Sequence, residues 1–475
     1  MFEKLAEKLK PFILDEQEVI INEEEYSYEL TIANTGELYG IVHIIDGEFV
    51  GFEKELDYEE EEDVLKSYIA EPNTEEMLQK AQLFVQTFLE QKVHFTMLNE
   101  WSSNNFMVTY EEKDPKLDIF IPHTGCTLYF NREGLLTTAN INQRDVKLEY
   151  PNISISEDEA KLKLREANYV ELTIYFSDEG EDAQLIYRPN HDIMGIGVNG
   201  EIQTVTEFME AEKLEVQTVS PVTPKETLNE MLGVNSSLVQ KVGEDGSTIW
   251  VDDNLGVEGE EEEALISIYT DETGFFSFSN LPYVKDEHAV KLSLEALKER
   301  ALRVLSLAEG PIHEKYVLEE PVENLDEESE SYLEDLETEE EFDDDGYIEP
   351  EPTQMFSFYR TYNGFKIEGF EAHVHVGLYS GLIRECSATR LTEQQELSLE
   401  KLKTVPTIPL HEAENRFFNE IEMKLVRTVK EFHNPKVYDL SYIVSFPKTV
   451  GHIEKMNAHT GEVTYVDTGI LKEVE

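Results

Sequence analysis

Glu371, His373 and His375 alternate along the chain, so in a strand they share one face. Two imidazoles two residues apart can hold zinc when a third ligand joins them, and His411 or Glu412 would supply it. That arrangement would make a metal-dependent hydrolase with a site near His373 and His375. No supporting pattern of orienting groups surrounds the pair, and ordinary strand-surface residues are the plainer account. A second cation pattern is Glu341, Asp343, Asp345 and Gly346, spaced like positions 1, 3, 5 and 6 of a calcium loop. The twelfth position is Pro352 where a bidentate glutamate is needed, so only weak, nonspecific divalent-cation binding is expected there.

Other chemistry leaves no trace. There is no Gly-x-Ser-x-Gly, no Walker A run and no Rossmann glycine pattern. Cys126 and Cys386 stand in strand-like sequence without a catalytic signature, and two thiols in 475 residues make no disulfide framework. Both are read as buried structural thiols. Arg360 is read as a paired core charge, with an anion contact as the alternative. The sequence therefore commits to no catalytic, cofactor-binding or metal-ligating residue, and to no cofactor.

The elements that would position these groups are organised around Ser154–Ile202. Ser156 and Glu159 form a capping box, and Ala160, Leu162 and Leu164 give the helix an apolar stripe. Asn168 stops it, Tyr169–Phe176 alternates as a strand, Ala183–Arg188 is a second, and Asn199-Gly200 marks a turn. The same order returns in Pro409–Val463. Ala413 matches Ala160, Tyr442 matches Tyr187, and Gly461-Glu-Val463 matches Gly200-Glu-Ile202.

Ahead of the first unit the spacing predicts an amphipathic helix with Leu5, Leu9 and Phe12 on one side. A meander over Tyr26–Phe52, a helix over Thr74–Glu90 and four more strands follow. The second half echoes this. Ala264–Tyr269 stands for Tyr28–Ile32, a helix over His288–Leu307 for Thr74–Glu90, and Gly381-Leu-Ile383 for Gly134-Leu-Leu136. Between the halves, 206–255 reads as a connection with some structure of its own. Glu319–Glu351 holds 18 acidic residues, and no Lys or Arg occurs between Lys315 and Arg360, so 319–352 is expected to be a disordered insertion.

The formal charge is −62, from 101 acidic and 39 basic residues. Such a surface repels nucleic acid and anionic lipid and favours basic partners. No apolar run is long enough for a membrane-spanning helix. The N-terminal residues mix acids and lysines where an export signal has an apolar core, and a cytoplasmic setting is expected.

Phe358-Tyr-Arg360, Asn363-Gly364, Gly381-Leu-Ile383, His411-Glu-Ala413, Leu440-Ser-Tyr442 and His459-Thr-Gly461-Glu462 resemble the YcdB/YcdC repeat family of Bacillus-type bacteria. Glu159-Ala160, Leu185-Ile-Tyr187 and Asn199-Gly-Glu201 are similar in the first half. The repeats of that family look distantly like PepSY domains. The resemblance implies a regulatory or binding module rather than a reaction. Members of that family are commonly exported, and this chain departs from them in its N-terminal sequence.

The expectation is therefore an α+β fold of two tandem repeats, each a set of antiparallel meanders with packed, PepSY-like helices. Its parts are an N-terminal helix (1–25), a first half (26–205), a connection (206–255) and a second half (256–475). The expected function is non-enzymatic binding of a protein or peptide partner. The alternatives are the hydrolase above and an acidic structural or cation-binding protein.

Overall fold

Alternating β-branched and aromatic residues make strands the commonest element, and among the described residues they gather into three sheets. The computed structural model describes residues 2–24, 27–55, 72–102, 105–142, 145–177, 180–211, 214–243, 245–252, 264–283, 289–319, 351–446 and 451–474. The acidic segment 319–352 lies, except for its ends, outside the described residues, as does the calcium-like run Glu341–Gly346.

In chain order, α1 (Phe2–Leu9) precedes β1 (Val19–Glu23), β2 (Tyr28–Ile32), β3 (Leu38–Ile45) and β4 (Glu48–Lys54). Then come α2 (Thr74–Phe88), β5 (His94–Ser102), β6 (Asn105–Lys113), β7 (Phe120–Asn131), β8 (Leu136–Asn142) and β9 (Lys147–Leu148). The first unit supplies α3 (Glu157–Glu166), β10 (Val170–Phe176), β11 (Ala183–Pro189), β12 (Ile193–Gly197) and β13 (Ile202–Thr204). Next are α4 (Val205–Phe208), β14 (Val216–Thr218), α5 (Leu228–Leu232), β15 (Val239–Val242), β16 (Thr248–Val251), β17 (Ile266–Thr270) and β18 (Gly274–Ser279). These lead to α6 (Leu294–Glu309), β19 (Tyr316–Glu319), β20 (Thr353–Tyr362), β21 (Phe365–Gly377), β22 (Ile383–Thr389) and α7 (Glu393–Lys401). The second unit is α8 (Leu410–Glu420), β23 (Glu422–Glu431), β24 (Asn434–Ser445), β25 (Ile453–Asn457) and β26 (Val463–Tyr465), and β27 (Ile470–Glu473) ends the chain.

The first sheet runs β1-β2-β3-β4-β8-β7-β6-β5-β27. The second contains β15-β16-β17-β18-β22-β21-β20-β19-β14, the same order with a strand from outside the run closing its end. Beyond β21 it continues through β10, β11, β25 and β26. The third is β13-β12-β24-β23, with β9 on β24. Strand β14 follows the first unit but closes the second sheet, and β27 follows the second unit but closes the first.

The two units are exchanged in the same way. Ile186 and Tyr187 of β11 pair with Asn457 and Met456 of β25. The matching residues Ser441 and Tyr442 of β24 pair with Gly197 and Ile196 of β12. The Tyr187 hydroxyl donates to the Ile408 carbonyl at 2.8 Å, and the Tyr442 hydroxyl donates to the Ile155 carbonyl at 2.8 Å. Both carbonyls immediately precede the cap residue of a helix, α8 and α3 respectively. One core joins the units, with Ala160 and Leu164 of α3 beside Ala413 and Phe417 of α8.

These pairings correct the α+β expectation of two successive blocks. The molecule is mainly β, and equivalent segments interlock across the chain. The cause is hydrogen bonding: each short meander leaves an open edge, and the nearest strand that satisfies it belongs to the other unit. The helix expected over His288–Leu307 begins at Leu294, where the Ser293 side chain accepts from the Ala296 amide. Strand order makes β17 the counterpart of β3 rather than of β2, so the echo of Tyr28–Ile32 by Ala264–Tyr269 shifts by one strand. Residues 206–255 supply β14, β15 and β16 of the second sheet.

The first sheet buries Phe52, Phe106, Phe130 and Leu128 against Phe84 of α2 and Leu9 of α1. The second buries Phe356, Phe358 and Val374 against Leu297, Ala301 and Val304 of α6. Each such Phe, Leu or Val side chain contributes about 1.5–3 kcal/mol on leaving water.

Candidate functional site

Strand β21 places its even residues Ala372, Val374 and Val376 in the core and turns Glu371, His373 and His375 to the opposite face. His373 lies between Ser357 of β20 and Ser387 of β22, and His375 lies between Met355 and Glu385. The Ser357 hydroxyl is 3.2 Å from Nδ1 of His373, and Nε2 of His373 is 3.7 Å from the Glu371 carboxylate. Lys366 pairs with Glu371 at 2.9 Å. An open depression of about 360 Å³, lined by Phe275, Glu371, His373, Ser387 and Thr389, lies beside them.

Hydroxyl, imidazole and carboxylate thus stand in a row. Strand β21 is paired on both sides here, so its ladders engage the amides that would have to hold an oxyanion. His411 and Glu412 lie on α8, which packs on β10 and β25, and Glu412 pairs with Arg416 at 3.2 Å. Among the described residues no group of three or more His, Cys, Asp or Glu is placed to hold a metal ion.

Arg360 is buried, pairs with Glu396 of α7 and covers the Tyr316 ring. Cys126 and Cys386 are free and buried. Burial pushes the Cys126 thiol up to about 12 and the Cys386 thiol higher still, which makes both poor nucleophiles.

The strongest electrostatics tie segments together. Arg427 of β23 is fully buried and reaches the Asp114 carboxylate at 2.6 Å, and it also donates to the Glu149 carbonyl. Burial pushes the Asp114 carboxyl up, but the amides of Lys116 and Leu117, Arg427 and the Tyr150 hydroxyl outweigh it and hold the group below its ordinary range. Glu351 is clamped in the same manner by Arg384, by the amides of Tyr379 and Ser380 and by the Ser380 hydroxyl.

Edges are where the sheets stay chemically open. Strands β13, β14 and β26 have three residues each. Strands β15 and β27 carry Lys241 and Lys472, and β23 carries Lys424 and Lys430. Short length and lysine are both protections against pairing with another chain. Strand β1, Val-Ile-Ile-Asn-Glu, has neither, and no other strand among the described residues pairs with its outer side.

The Ala33 amide donates to the Glu18 carbonyl and the Glu24 amide to the Ser27 carbonyl. This fixes the alternation, so the backbone groups of Val19, Ile21 and Glu23 point away from β2. A groove of about 620 Å³ runs between this edge and α1, lined by Phe2, Glu3, Ala6 and Glu7 on the helix, Lys10 just after it, Glu18 to Ile21 on the strand, and Ala33. The side chain of Ile20 is 49% exposed beside it. Sequence reading missed β1, and its one signal was the short apolar run at 19–21 after the predicted helix.

The chain matches no protein-family model, no curated protein and no solved structure. Among the described residues no helix is long and apolar enough to cross a membrane.

Proposed function

We propose that the protein is a non-enzymatic binding or regulatory protein that takes an extended polypeptide segment by strand addition at a sheet edge. The observation that carries this reading is β1: an apolar, unprotected edge with outward-facing backbone groups and a helix-walled groove alongside. The resemblance to the YcdB/YcdC repeats supports a regulatory role. A cytoplasmic setting is part of the proposal, because two free thiols suit a reducing compartment.

The test is selection of a random heptapeptide display library on the purified full chain and on Glu23→Pro. The proline removes one outward amide at an exposed strand end. Sequences with alternating apolar residues should be enriched on the native chain and lost on the variant. Failure to enrich any such sequence, or equal enrichment on both proteins, overturns the reading.

A further inference from the structure

The groove between α1 and β1 also carries information about its occupant. Building on strand addition at this edge, we infer that it takes a segment of another protein in which lysine or arginine alternates with apolar residues. A guest strand beside β1 alternates its side chains between two faces. On the helix side it meets Phe2 and Ala6, with Glu3 and Glu7 on the same wall. A long basic side chain fits that wall best: its methylene stem covers the apolar pair and its charged end reaches the carboxylates.

On the opposite side the guest lies next to exposed Ile20, which favours an apolar residue. Glu18 and Lys10 also line the groove and pair with each other at 3.6 Å, so the unbalanced negative charge there is that of Glu3 and Glu7. Charge also decides against the other occupants. A second copy of this chain, or its own acidic segment, brings more negative charge to a molecule with 101 acidic and 39 basic residues.

The probe is a fluorescein-labelled heptapeptide, Lys-Val-Lys-Ile-Lys-Val-Lys, measured by anisotropy against the full chain. Controls replace every lysine with serine or with glutamate. The basic peptide should bind about tenfold tighter than the serine peptide at low salt, with the gap shrinking as salt rises. The double variant Glu3→Lys/Glu7→Lys should abolish that preference, while Glu23→Pro should weaken the basic and serine peptides alike. Unchanged melting temperatures would show that both variants fold.

Equal binding of the basic and serine peptides, both sensitive to Glu23→Pro, overturns the basic partner and leaves strand addition standing. Basic-peptide binding that neither variant alters is general attraction to an acidic surface and overturns the site. No binding by any peptide, together with an unenriched display library, removes the underlying reading as well.

Discussion

Two carboxylates, Asp114 and Glu111, make opposite claims on stability. Arg427 and Asp114 are both fully buried and satisfy each other, so removing one strands the other. Arg427→Met should cost about 3–5 kcal/mol, read as a lower urea midpoint. Asp114 lies below its ordinary range, so its contribution is present above the unfolded carboxylate value and is lost as pH falls through the folded one. Glu111 goes the other way. Burial pushes its carboxyl up to about 7 against the pull of the His123 amide. From its ordinary value of 4.5 up to about 7, the folded state keeps a proton that the unfolded state has released. Stability therefore falls as pH rises through that window. Glu111→Gln should flatten the fall and raise stability at pH 8 by up to about 3 kcal/mol, measured as urea midpoints across the pH range. A slope equal to that of the native chain would refute the assignment. Neither role was legible in the sequence: Asp114 meets Arg427 across 313 residues, and the burial of Glu111 depends on how β6 packs between β5 and β7.

At the scale of elements, some of the local chemistry was legible. The Ser156–Glu159 capping box forms as read, Asn168 adopts the left-handed conformation that ends α3, and Asn363-Gly364 turns β20 into β21 with both residues at positive φ. Local chemistry also went unread: β1 and β5 each pair with the next strand in the chain, and α6 starts at its own Ser293 cap. What could not be read locally was the crossed pairing of the two units. The pairing of His373 and His375 on one face was correct, but the third ligand sought at His411 or Glu412 sits on an element packed elsewhere. Gly377 shows a requirement that composition does not announce. A Cβ there would lie 2.3 Å from the Glu351 carboxylate. Gly377→Ala should displace Glu351 from Arg384 and lower the melting temperature. Gly364→Ala has nothing within 4 Å of the added methyl, and its cost is confined to backbone strain of about 1–2 kcal/mol. Calorimetry on the two variants compares a broken clamp with a strained turn. Equal shifts would mean that the clamp contributes little.

At the scale of the whole molecule, the exchange of β14 and β27 and the crossed pairs β11–β25 and β12–β24 make each half the completion of the other. A chain divided into independent blocks would survive cutting between them. This one would lose a closing strand from each long sheet and expose the core that α3 and α8 share. Residues 1–211 expressed alone leave the partner edges of β11 and β12 open, along with the outer side of β5. The equivalence of the two units gives those edges one ready solution, pairing with a second copy in the manner of the intact chain. Sedimentation of that fragment should therefore show dimers or larger species, and adding residues 214–475 should convert them to a one-to-one complex. A monodisperse monomer with native near-ultraviolet dichroism would mean that each half closes its own edges, and that the crossed hydrogen bonds follow folding rather than direct it.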